Sequence, residues 1–288
     1  MSARQAPHQA QEPISLTGRT AIVTGGSRGL GREMALALAA AGASLVITGA
    51  HRSQALDESL ALIRTTLRNG ADAVAIVADV TDPHACDRMV AEAIDRFGQV
   101  DTLVNNAGLG MRAVSETFTT VPTRFWETDP RTWQKIVDTN VNGAFYAARA
   151  AARHMVRRGY GKIINISTSA QTMVRRGYAP YGPSKAALEA ASRIWAQDLA
   201  GTGVDVNVYL PGGASDTDLI PGGTGRTGAD GNLLPASIMR RAIVWLCSAR
   251  SDGVSGARFT ARLWDEMLPA SEAALAAQSP AAGEPAIL

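Results

Sequence analysis

Short apolar runs that alternate with helical patterns constrain the fold of this chain more than any other feature. From residue 20 onward such runs recur about every 25 residues, and each is followed by apolar residues at helical spacing. A strand that returns to its sheet through a helix forms a right-handed crossover and pairs in parallel. The pattern therefore predicts an α/β fold built on a doubly wound parallel sheet.

Length and composition favour a single domain. The chain has 288 residues, of which 46% are hydrophobic, and this is sufficient for one large core. Residues 1–15 lack the apolar region of a signal peptide, and we expect a disordered N-terminal tail. We place the domain at residues 16–265 and interpret the Ala-rich residues 266–288 as a tail that is disordered or lies against a partner subunit.

Charge and cysteine content disfavour several classes of function. The net charge is +2 and the basic residues are scattered, so we expect neither nucleic-acid binding nor membrane binding. The two cysteines, Cys86 and Cys247, are too few and too far apart for a metal site or a disulfide framework. These features predict a cytoplasmic protein without a metal.

A glycine-rich turn separates the first strand from the first helix. Glycines at this place allow a tight turn and a close approach of backbone to ligand, and the following helix offers free N–H groups to a phosphate. The sequence therefore predicts a dinucleotide site at residues 24–31. The residues assigned to it are Gly25, Ser27, Arg28, Gly29, Leu30 and Gly31.

The end of the second strand bears on which dinucleotide is bound. An acidic residue there usually binds a ribose 2′-hydroxyl, whereas a basic residue accommodates a 2′-phosphate. After Gly49 the chain has His51 and Arg52 and no acid, and Arg28 lies within the glycine turn. The sequence favours NADP(H) over NAD(H).

Further polar residues follow later strands. Asp79 ends the third strand and Asn106 the fourth, so both are expected in one crevice with Gly25, because ligands bind at the carboxyl ends of parallel strands. Residues 109–130 are predicted to be irregular and to lie near a substrate. Residues 212–235, rich in glycine and proline, predict a mobile lid.

Helices and one strand complete the predicted architecture. A single helix is expected over residues 132–157, with Asn140 buried among apolar neighbours and in need of hydrogen-bond partners. Another helix is expected to begin near Pro183, and a last strand is predicted over residues 257–263.

Tyr181 and Lys185 form the candidate catalytic pair. Four residues apart on a helix, they share one face, and an ammonium close to a phenol favours the phenolate. The pair could therefore transfer a proton near neutral pH. Thr168 and Ser169 provide hydroxyls about thirteen residues upstream.

Over residues 16–265 the chain resembles the short-chain dehydrogenase/reductase family. The resemblance rests on Thr24-Gly25 with Gly29 and Gly31, Asp79, the segment Asn105 to Gly108, Asn140, and Tyr181 with Lys185. It implies a Rossmann fold, Tyr181 as general acid/base, Lys185 binding the nicotinamide ribose and lowering the Tyr181 pKa, and Asn140 supporting a water in a proton relay. Further cofactor contacts are implied at Val80, Asn106, Ala107, Gly108, Pro211, Gly212 and Thr217.

Two positions depart from the family pattern. The serine that orients the substrate oxygen usually stands 13 residues before the tyrosine, where this chain has Thr168; either Thr168 serves or Ser169 replaces it. The threonine expected five residues after Pro211 is replaced by Asp216, with Thr217 next to it.

These features support an NADP(H)-dependent oxidoreductase that interconverts a small carbonyl compound and a secondary alcohol. The alternative is a nucleotide-binding regulatory or scaffold protein on the same fold. The helix after Tyr181 resembles the family helix that packs between subunits, so we expect a homodimer or homotetramer.

Overall fold

A computed structural model describes residues 13–222, 226–228 and 231–279 of the chain. Within this part, seven parallel strands form one sheet in the order β3-β2-β1-β4-β5-β6-β7. The strands are β1 Thr20–Val23, β2 Ser44–Gly49, β3 Ala73–Val77, β4 Thr102–Asn105, β5 Gly161–Ile166, β6 Val204–Leu210 and β7 Arg258–Thr260. The strand order reverses direction between β1 and β4, and ligands of doubly wound sheets bind at this kind of point.

Helices cover both faces of the sheet. They are α1 Gly29–Ala40, α2 Gln54–Thr66, α3 Pro83–Phe97, α4 Pro130–Val137, α5 Gly143–Arg158, α6 Ala170–Met173, α7 Tyr181–Asp198, α8 Arg240–Leu246 and α9 Ala270–Ala277. The predicted doubly wound α/β fold in one domain is confirmed.

Adjacent residues of a strand belong to two separate hydrophobic cores, one on each face of the sheet. Val23 packs with α1, α8 and α9 on one face, whereas its neighbour Ile22 packs with α3 and α5 on the other. Successive side chains of a strand point to opposite faces, and a sheet covered on both faces therefore has strands that are apolar throughout.

Local sequence explains several helix ends. The Asp82 carboxylate accepts from the backbone N–H of His84, Pro83 occupies the first turn, and Gly98 ends α3 in the left-handed conformation at φ 78°. The Ser53 hydroxyl caps α2 in the same manner. These residues satisfy or avoid the unpaired backbone groups of a helix end, and they explain why α3 begins and ends where it does.

The segment predicted as a helix, residues 132–157, is helical throughout, but it is not one regular α-helix. A π-helical turn, Asp138–Asn142, separates α4 from α5. Thr139 bonds back to the carbonyl of Lys135, and the side chain of Asn140 is turned toward the loop that follows β4. Insertions of this kind often mark functional sites in helices.

Three other boundaries differ from the predictions. α7 begins at Tyr181, two residues before Pro183. β7 is confined to Arg258–Thr260, and the chain then turns into a 3-10 helix, Ala261–Leu263. α9, inside the predicted C-terminal tail, buries Ala273, Ala274 and Ala277 in the core of its own chain.

The predicted N-terminal tail lies mostly outside the described residues, which begin at residue 13. Leu16, the first residue of the predicted domain, is buried, and its N–H donates to the carbonyl of Ala41. The C-terminal prediction is described only to residue 279.

Candidate active site

The glycine turn after β1 is closely packed against the end of β4. A Cβ added to Gly25 would lie 2.9 Å from the Cα of Ala107, and one added to Gly31 would overlap the Asn106 amide and the Gly25 carbonyl. The Asn106 Nδ2 donates to the carbonyls of Thr24 and Gly25 at 2.9 and 3.0 Å. Side chains at these glycines would therefore displace the turn.

Thr24 links the glycine turn to the segment that follows β4. Its buried hydroxyl accepts from the backbone N–H groups of Asn106 and Ala107 at 3.0 and 3.1 Å. Thr24 carried part of the family pattern, but its role as a cross-link between two strand ends could not be inferred from its position alone.

The first turn of α1 is open to an anion. Arg28 stands at the N-cap with extended backbone, and its side chain makes no capping hydrogen bond. The first N–H groups of the helix thus lack a side-chain acceptor at this position, which is the arrangement that binds phosphates. Ser27 accepts from the Ser59 hydroxyl through its carbonyl, and Leu30 packs partly against the core.

The segment after β6 lies over the glycine turn. A Cβ on Gly29 would lie 3.2 Å from the methyl group of Thr217. Asp216 faces elsewhere and accepts from Arg226 at 2.6 Å. Thr217, rather than Asp216, therefore lies against the glycine turn.

Pro211 and Gly212 connect β6 to this segment. The Pro211 carbonyl accepts from the N–H of Arg262, and Gly212 has φ 93°, with Thr260 and Arg262 where a side chain would be. The geometry requires glycine at position 212.

The cationic residues near the glycine turn are exposed and ion-paired. The Arg28 Nε lies 3.3 Å from Asp218, and the Arg52 guanidinium lies 2.7 Å from Asp57. His51 is exposed beside Arg52. Exposed pairs of this kind contribute little to stability and can exchange one anionic partner for another.

Asp79 and Val80 follow β3 and have different environments. Asp79 is exposed and accepts from the backbone and hydroxyl of Thr81 at 2.9 Å. Val80 is buried, and its side chain fills the space beside Gly143, where a Cβ would be 2.6 Å away. Val80 thus sets how closely α5 approaches the sheet.

Tyr181 and Thr168 meet in the crevice. The Thr168 hydroxyl lies near enough to the phenol of Tyr181 to lower its pKa, and Tyr178 is the other polar side chain that affects the ionisation of Tyr181. Both Thr168 and Tyr181 are partly buried. The predicted face of Thr168 is thereby directed at the predicted general acid/base.

The neighbours of Thr168 are oriented differently. The Ser169 hydroxyl caps α6, accepting from the N–H of Thr172 at 3.2 Å and lying 2.9 Å from its hydroxyl. Ser167 is buried, and its hydroxyl has no hydrogen-bond partner among the described residues. Of the three hydroxyls, the one on Thr168 is the one that lowers the pKa of Tyr181.

Lys185 is buried on the first turns of α7. Its Nζ donates to the carbonyl of Ile166 at 2.8 Å and would lie 3.7 Å from a Cβ added to Gly108. Burial lowers the pKa of Lys185 to about 8, and the carboxylate of Glu189 partly opposes this effect.

The predicted effect of Lys185 on Tyr181 is wrong for this structure. Burial raises the pKa of Tyr181 to about 12, and the hydrogen bond from Thr168 opposes that rise only in part. A phenol removed from water loses the solvation of its anion, and this outweighs the neighbouring dipoles. Tyr181 therefore holds its proton at neutral pH.

Asn140 finds the hydrogen-bond partners that its predicted burial requires. Its Oδ1 accepts from the N–H of Leu109 at 2.8 Å, and its Nδ2 donates to the Leu109 carbonyl and the Ser184 hydroxyl at 2.9 Å each. Ser184 donates in turn to the carbonyl of Tyr181. The π-helical turn is thus tied to the start of α7.

The crevice has the features needed to hold a dinucleotide. Glycines leave room for close approach, the N-terminus of α1 is open, and Lys185 and Asn140 both lie beside Gly108. Ser184 was missed as a functional residue although it stands inside the Tyr181 to Lys185 motif. Tyr178 and Arg258 were also missed; Arg258 is 90 residues from Thr168, whose carbonyl accepts its hydrogen bond.

The described residue ranges lack two kinds of feature. They contain no helix long and apolar enough to cross a membrane. The same ranges hold no group of three or more His, Cys, Asp or Glu side chains arranged to bind a metal ion.

Comparisons with known proteins agree on one family. The family model described as short chain dehydrogenase matches residues 19–222. A 3-oxoacyl-[acyl-carrier-protein] reductase from Synechocystis sp. is 36% identical over 198 residues, which is 69% of this chain and 75% of the relative. A short-chain type dehydrogenase/reductase from Picea abies is 41% identical over 200 residues, or 68% of this chain and 71% of the relative.

Solved structures show the same likeness. A putative short-chain alcohol dehydrogenase from Sinorhizobium meliloti superposes with a TM-score of 0.74 at 33% identity, covering 86% of this chain and 97% of the other. Sequence and structure therefore agree that this chain belongs to the short-chain dehydrogenase/reductase family of oxidoreductases.

Proposed function

We propose that this protein is an NADP(H)-dependent carbonyl reductase or alcohol dehydrogenase. The observation that carries the proposal is the crevice in which Tyr181 and Thr168 lie beside buried Lys185, whose Nζ donates to the carbonyl of Ile166 at 2.8 Å. Two hydroxyl donors that meet at one point can bind a single carbonyl oxygen between them.

The residues of the crevice divide the proton chemistry among them. A bound nicotinamide would supply or accept the hydride. In the reductive direction, Tyr181 gives its proton to the substrate oxygen, and Thr168 stabilises the negative charge that develops there. Because burial raises the pKa of Tyr181 to about 12, the phenol is protonated and ready to donate at neutral pH.

Lys185 and Asn140 support this transfer. Lys185 donates to the carbonyl of Ile166 and lies beside Gly108, where it would bind the ribose of the nicotinamide and so place the cofactor against Tyr181. Asn140 fixes the loop after β4 and, through Ser184, the backbone of Tyr181. Its three hydrogen bonds to protein make it a positioning residue, and a water bound near it would complete the relay implied by the family.

The function is tested by a panel of ketones and secondary alcohols with NADPH and NADP⁺, followed at the nicotinamide absorbance. We expect turnover of at least one panel member and its loss in Tyr181→Phe, which keeps the ring and removes the proton. Cofactor affinity, measured by fluorescence titration, should change little in this variant. Tight cofactor binding without any turnover would instead support a regulatory or scaffold protein.

The cofactor preference rests on Arg28 and Arg52. Both are exposed, and each is paired with a carboxylate, Arg28 with Asp218 and Arg52 with Asp57. The end of β2, where an acid would repel a 2′-phosphate, has no acidic residue. A 2′-phosphate can replace Asp218 at Arg28 and gain a charge-assisted hydrogen bond.

Arg28→Ala should weaken NADPH binding about tenfold or more, since a hydrogen bond to a charged group contributes about 1.5–3 kcal/mol. NADH binding should change less than twofold. Arg149→Ala, which removes a comparable ion-paired arginine of α5, is the control. An equal loss for both cofactors, or a native preference for NADH, would refute the NADP(H) assignment.

We further infer a homodimer or homotetramer that works in the cytoplasm on a small soluble substrate. An apolar face on α5 and α7, with Phe145 44% and Ile194 56% exposed, supports the assembly. The buried and unpaired state of Cys86 and Cys247 is compatible with a reducing compartment.

A further inference from the structure

Arg258 reaches from β7 to three separate parts of the chain. Its Nη2 donates to the backbone carbonyl of Thr168 at 2.8 Å. Its Nε lies 3.0 and 3.1 Å from the two carboxylate oxygens of Glu189 on α7, and its Nη1 donates to the Ser279 hydroxyl at 3.0 Å. One guanidinium thus joins the turn after β5, the helix of Tyr181 and the end of the described chain.

The guanidinium is held firmly in this place. The Arg258 side chain is 23% exposed and that of Glu189 is 13% exposed, so solvent screens their attraction only in part. The backbone of Arg258 is fixed as well, since its carbonyl accepts from the N–H of Ser279 at 2.8 Å. A planar guanidinium with its donors occupied on several sides has little freedom to rotate.

Thr168 depends on this contact more than its neighbours do. Ser167 is still anchored to the sheet, because its N–H donates to the carbonyl of Tyr209 at 3.0 Å. Ser169 is anchored to α6 by its own hydroxyl. Between them the chain leaves the sheet, and Arg258 holds the Thr168 carbonyl there, while the Thr168 hydroxyl lies on the side of Tyr181 and lowers its pKa.

We propose that Arg258 is a positioning residue that holds the Thr168 hydroxyl in place beside Tyr181. This inference rests on the proposed function, in which Thr168 polarises the substrate oxygen. Arg258 lies beyond the residues that the family model matches, 19–222, so the family pattern does not assign it.

The first test compares Arg258→Met with the control Arg149→Met. Arg149 lies 2.8 Å from Asp87, and its side chain is 33% exposed, so the control also removes a half-buried ion pair, but away from the crevice. Arg258→Met should lower kcat by about ten- to a hundredfold, as expected for a small displacement of a catalytic group. The dissociation constant of NADPH should stay within twofold, and Arg149→Met should leave kcat unchanged.

Arg258→Lys covers the case in which the methionine variant does not fold. Lysine keeps the charge beside Glu189, but its single nitrogen lacks the fork that serves Glu189 and Thr168 together. We expect a wild-type melting temperature and a kcat that remains at least fivefold low. A kcat restored to the wild-type value would show that Arg258 acts only through its ion pair, and would overturn the proposal.

A double-mutant cycle separates positioning from general stability. If Arg258 acts through Thr168, its substitution should lower kcat less than twofold in a Thr168→Val background, because the hydroxyl that it positions is already absent. Losses that multiply would show that the two residues act independently and would refute the inference.

A crystal structure of Arg258→Lys gives a readout that needs no turnover. The Thr168 carbonyl should move away from residue 258 and the distance between the Thr168 and Tyr181 hydroxyls should increase relative to the wild type, whereas an unchanged distance would refute the positioning role. If the wild-type protein binds NADPH but reduces no panel member, the proposed function fails. The crystal structure of Arg258→Lys still decides whether Arg258 holds Thr168.

Discussion

At the scale of single residues, the adjacent hydroxyls of Thr168 and Ser169 have different hydrogen-bond partners. Thr168 contacts Tyr181, and Ser169 caps α6. Thr168→Val keeps the shape of the side chain and removes the donor, so kcat should fall about a hundredfold, equivalent to about 3 kcal/mol of transition-state stabilisation. Steady-state kinetics at saturating substrate measures this loss.

Ser169→Ala is the matched control for that variant. It should leave kcat within about threefold and lower the free energy of unfolding by about 1 kcal/mol, the usual value of an N-cap. A large loss of kcat in Ser169→Ala, with a small one in Thr168→Val, would transfer the substrate-orienting role to Ser169.

The lowered pKa of Lys185 predicts that the free energy of unfolding depends on pH. Its pKa is lowered from 10.5 to about 8 in the folded protein, so between these values the unfolded chain binds more protons than the folded chain. Stability contributed by this group must therefore rise with pH across that window. From pH 8 to pH 10 the gain should be about 2 kcal/mol, at about 1.4 kcal/mol for each unit of pKa difference.

The measurement compares wild type with Lys185→Met by urea unfolding at several pH values. Subtracting the two curves removes the contributions of Tyr181, Tyr209 and Cys247, whose pKa values burial raises. A difference that stays flat from pH 8 to pH 10 would show that Lys185 keeps its ordinary pKa.

Residue roles could be predicted from the sequence where they depend on spacing. The spacing of Thr168 and Tyr181 in the sequence selected the hydroxyl that lowers the pKa of the phenol in the folded chain. The pKa of Tyr181 could not be predicted in the same way, because it depends on how much solvent the fold removes. Arg258 could not be found at all, since its contact with Thr168 exists only once three strands have been assembled.

At the scale of elements, the glycine turn depends on the absence of a side chain at Gly31. A Cβ there would overlap both the Asn106 amide and the Gly25 carbonyl. Gly31→Ala should therefore displace the turn and weaken NADPH binding by about tenfold or more, as backbone donors lose alignment with the phosphates. Isothermal titration calorimetry measures the affinity.

Gly98→Ala provides the comparison for that test. Gly98 ends α3 at φ 78° and has open space where a Cβ would be. Its substitution should cost about 1 kcal/mol of stability through backbone strain and leave NADPH affinity unchanged. If both variants bind NADPH like wild type, the turn does not hold the cofactor.

Element boundaries followed the sequence where capping residues mark them. α3 shows this directly, because Asp82, Pro83 and Gly98 stand at its ends. The π-helical turn was missed because Asn140 makes its hydrogen bonds to Leu109 and Ser184, which are distant in sequence. Hydrophobic periodicity does not register such contacts.

At the scale of the whole molecule, crossover rules predicted a parallel sheet but not the place of the C-terminal segment. α9 is rich in alanine, and its small side chains give little periodic signal. It packs against the hydrophobic core that also contains α1 and α8, and residue 278 then pairs with Phe259 at the edge of the sheet. Such docking depends on a surface that only the folded chain provides.

The assembly can be tested on the apolar face of α5 and α7. Phe145 and Trp195 lie 6.4 Å apart between their ring centroids, and Ile194 beside them is 56% exposed. In a two-fold interface each subunit presents the same patch, so Ile194→Glu places two carboxylates in one desolvated contact. Leu275→Glu changes an even more exposed residue, on α9.

Light scattering at micromolar concentration should give a dimer or tetramer for wild type and for Leu275→Glu, and a monomer for Ile194→Glu. The reason is that a buried, unpaired carboxylate costs several kcal/mol, which is comparable to the affinity of a modest interface. A wild-type monomer would refute the assembly itself. Retention of the dimer or tetramer by Ile194→Glu, with dissociation of Leu275→Glu, would place the contact on α9 instead.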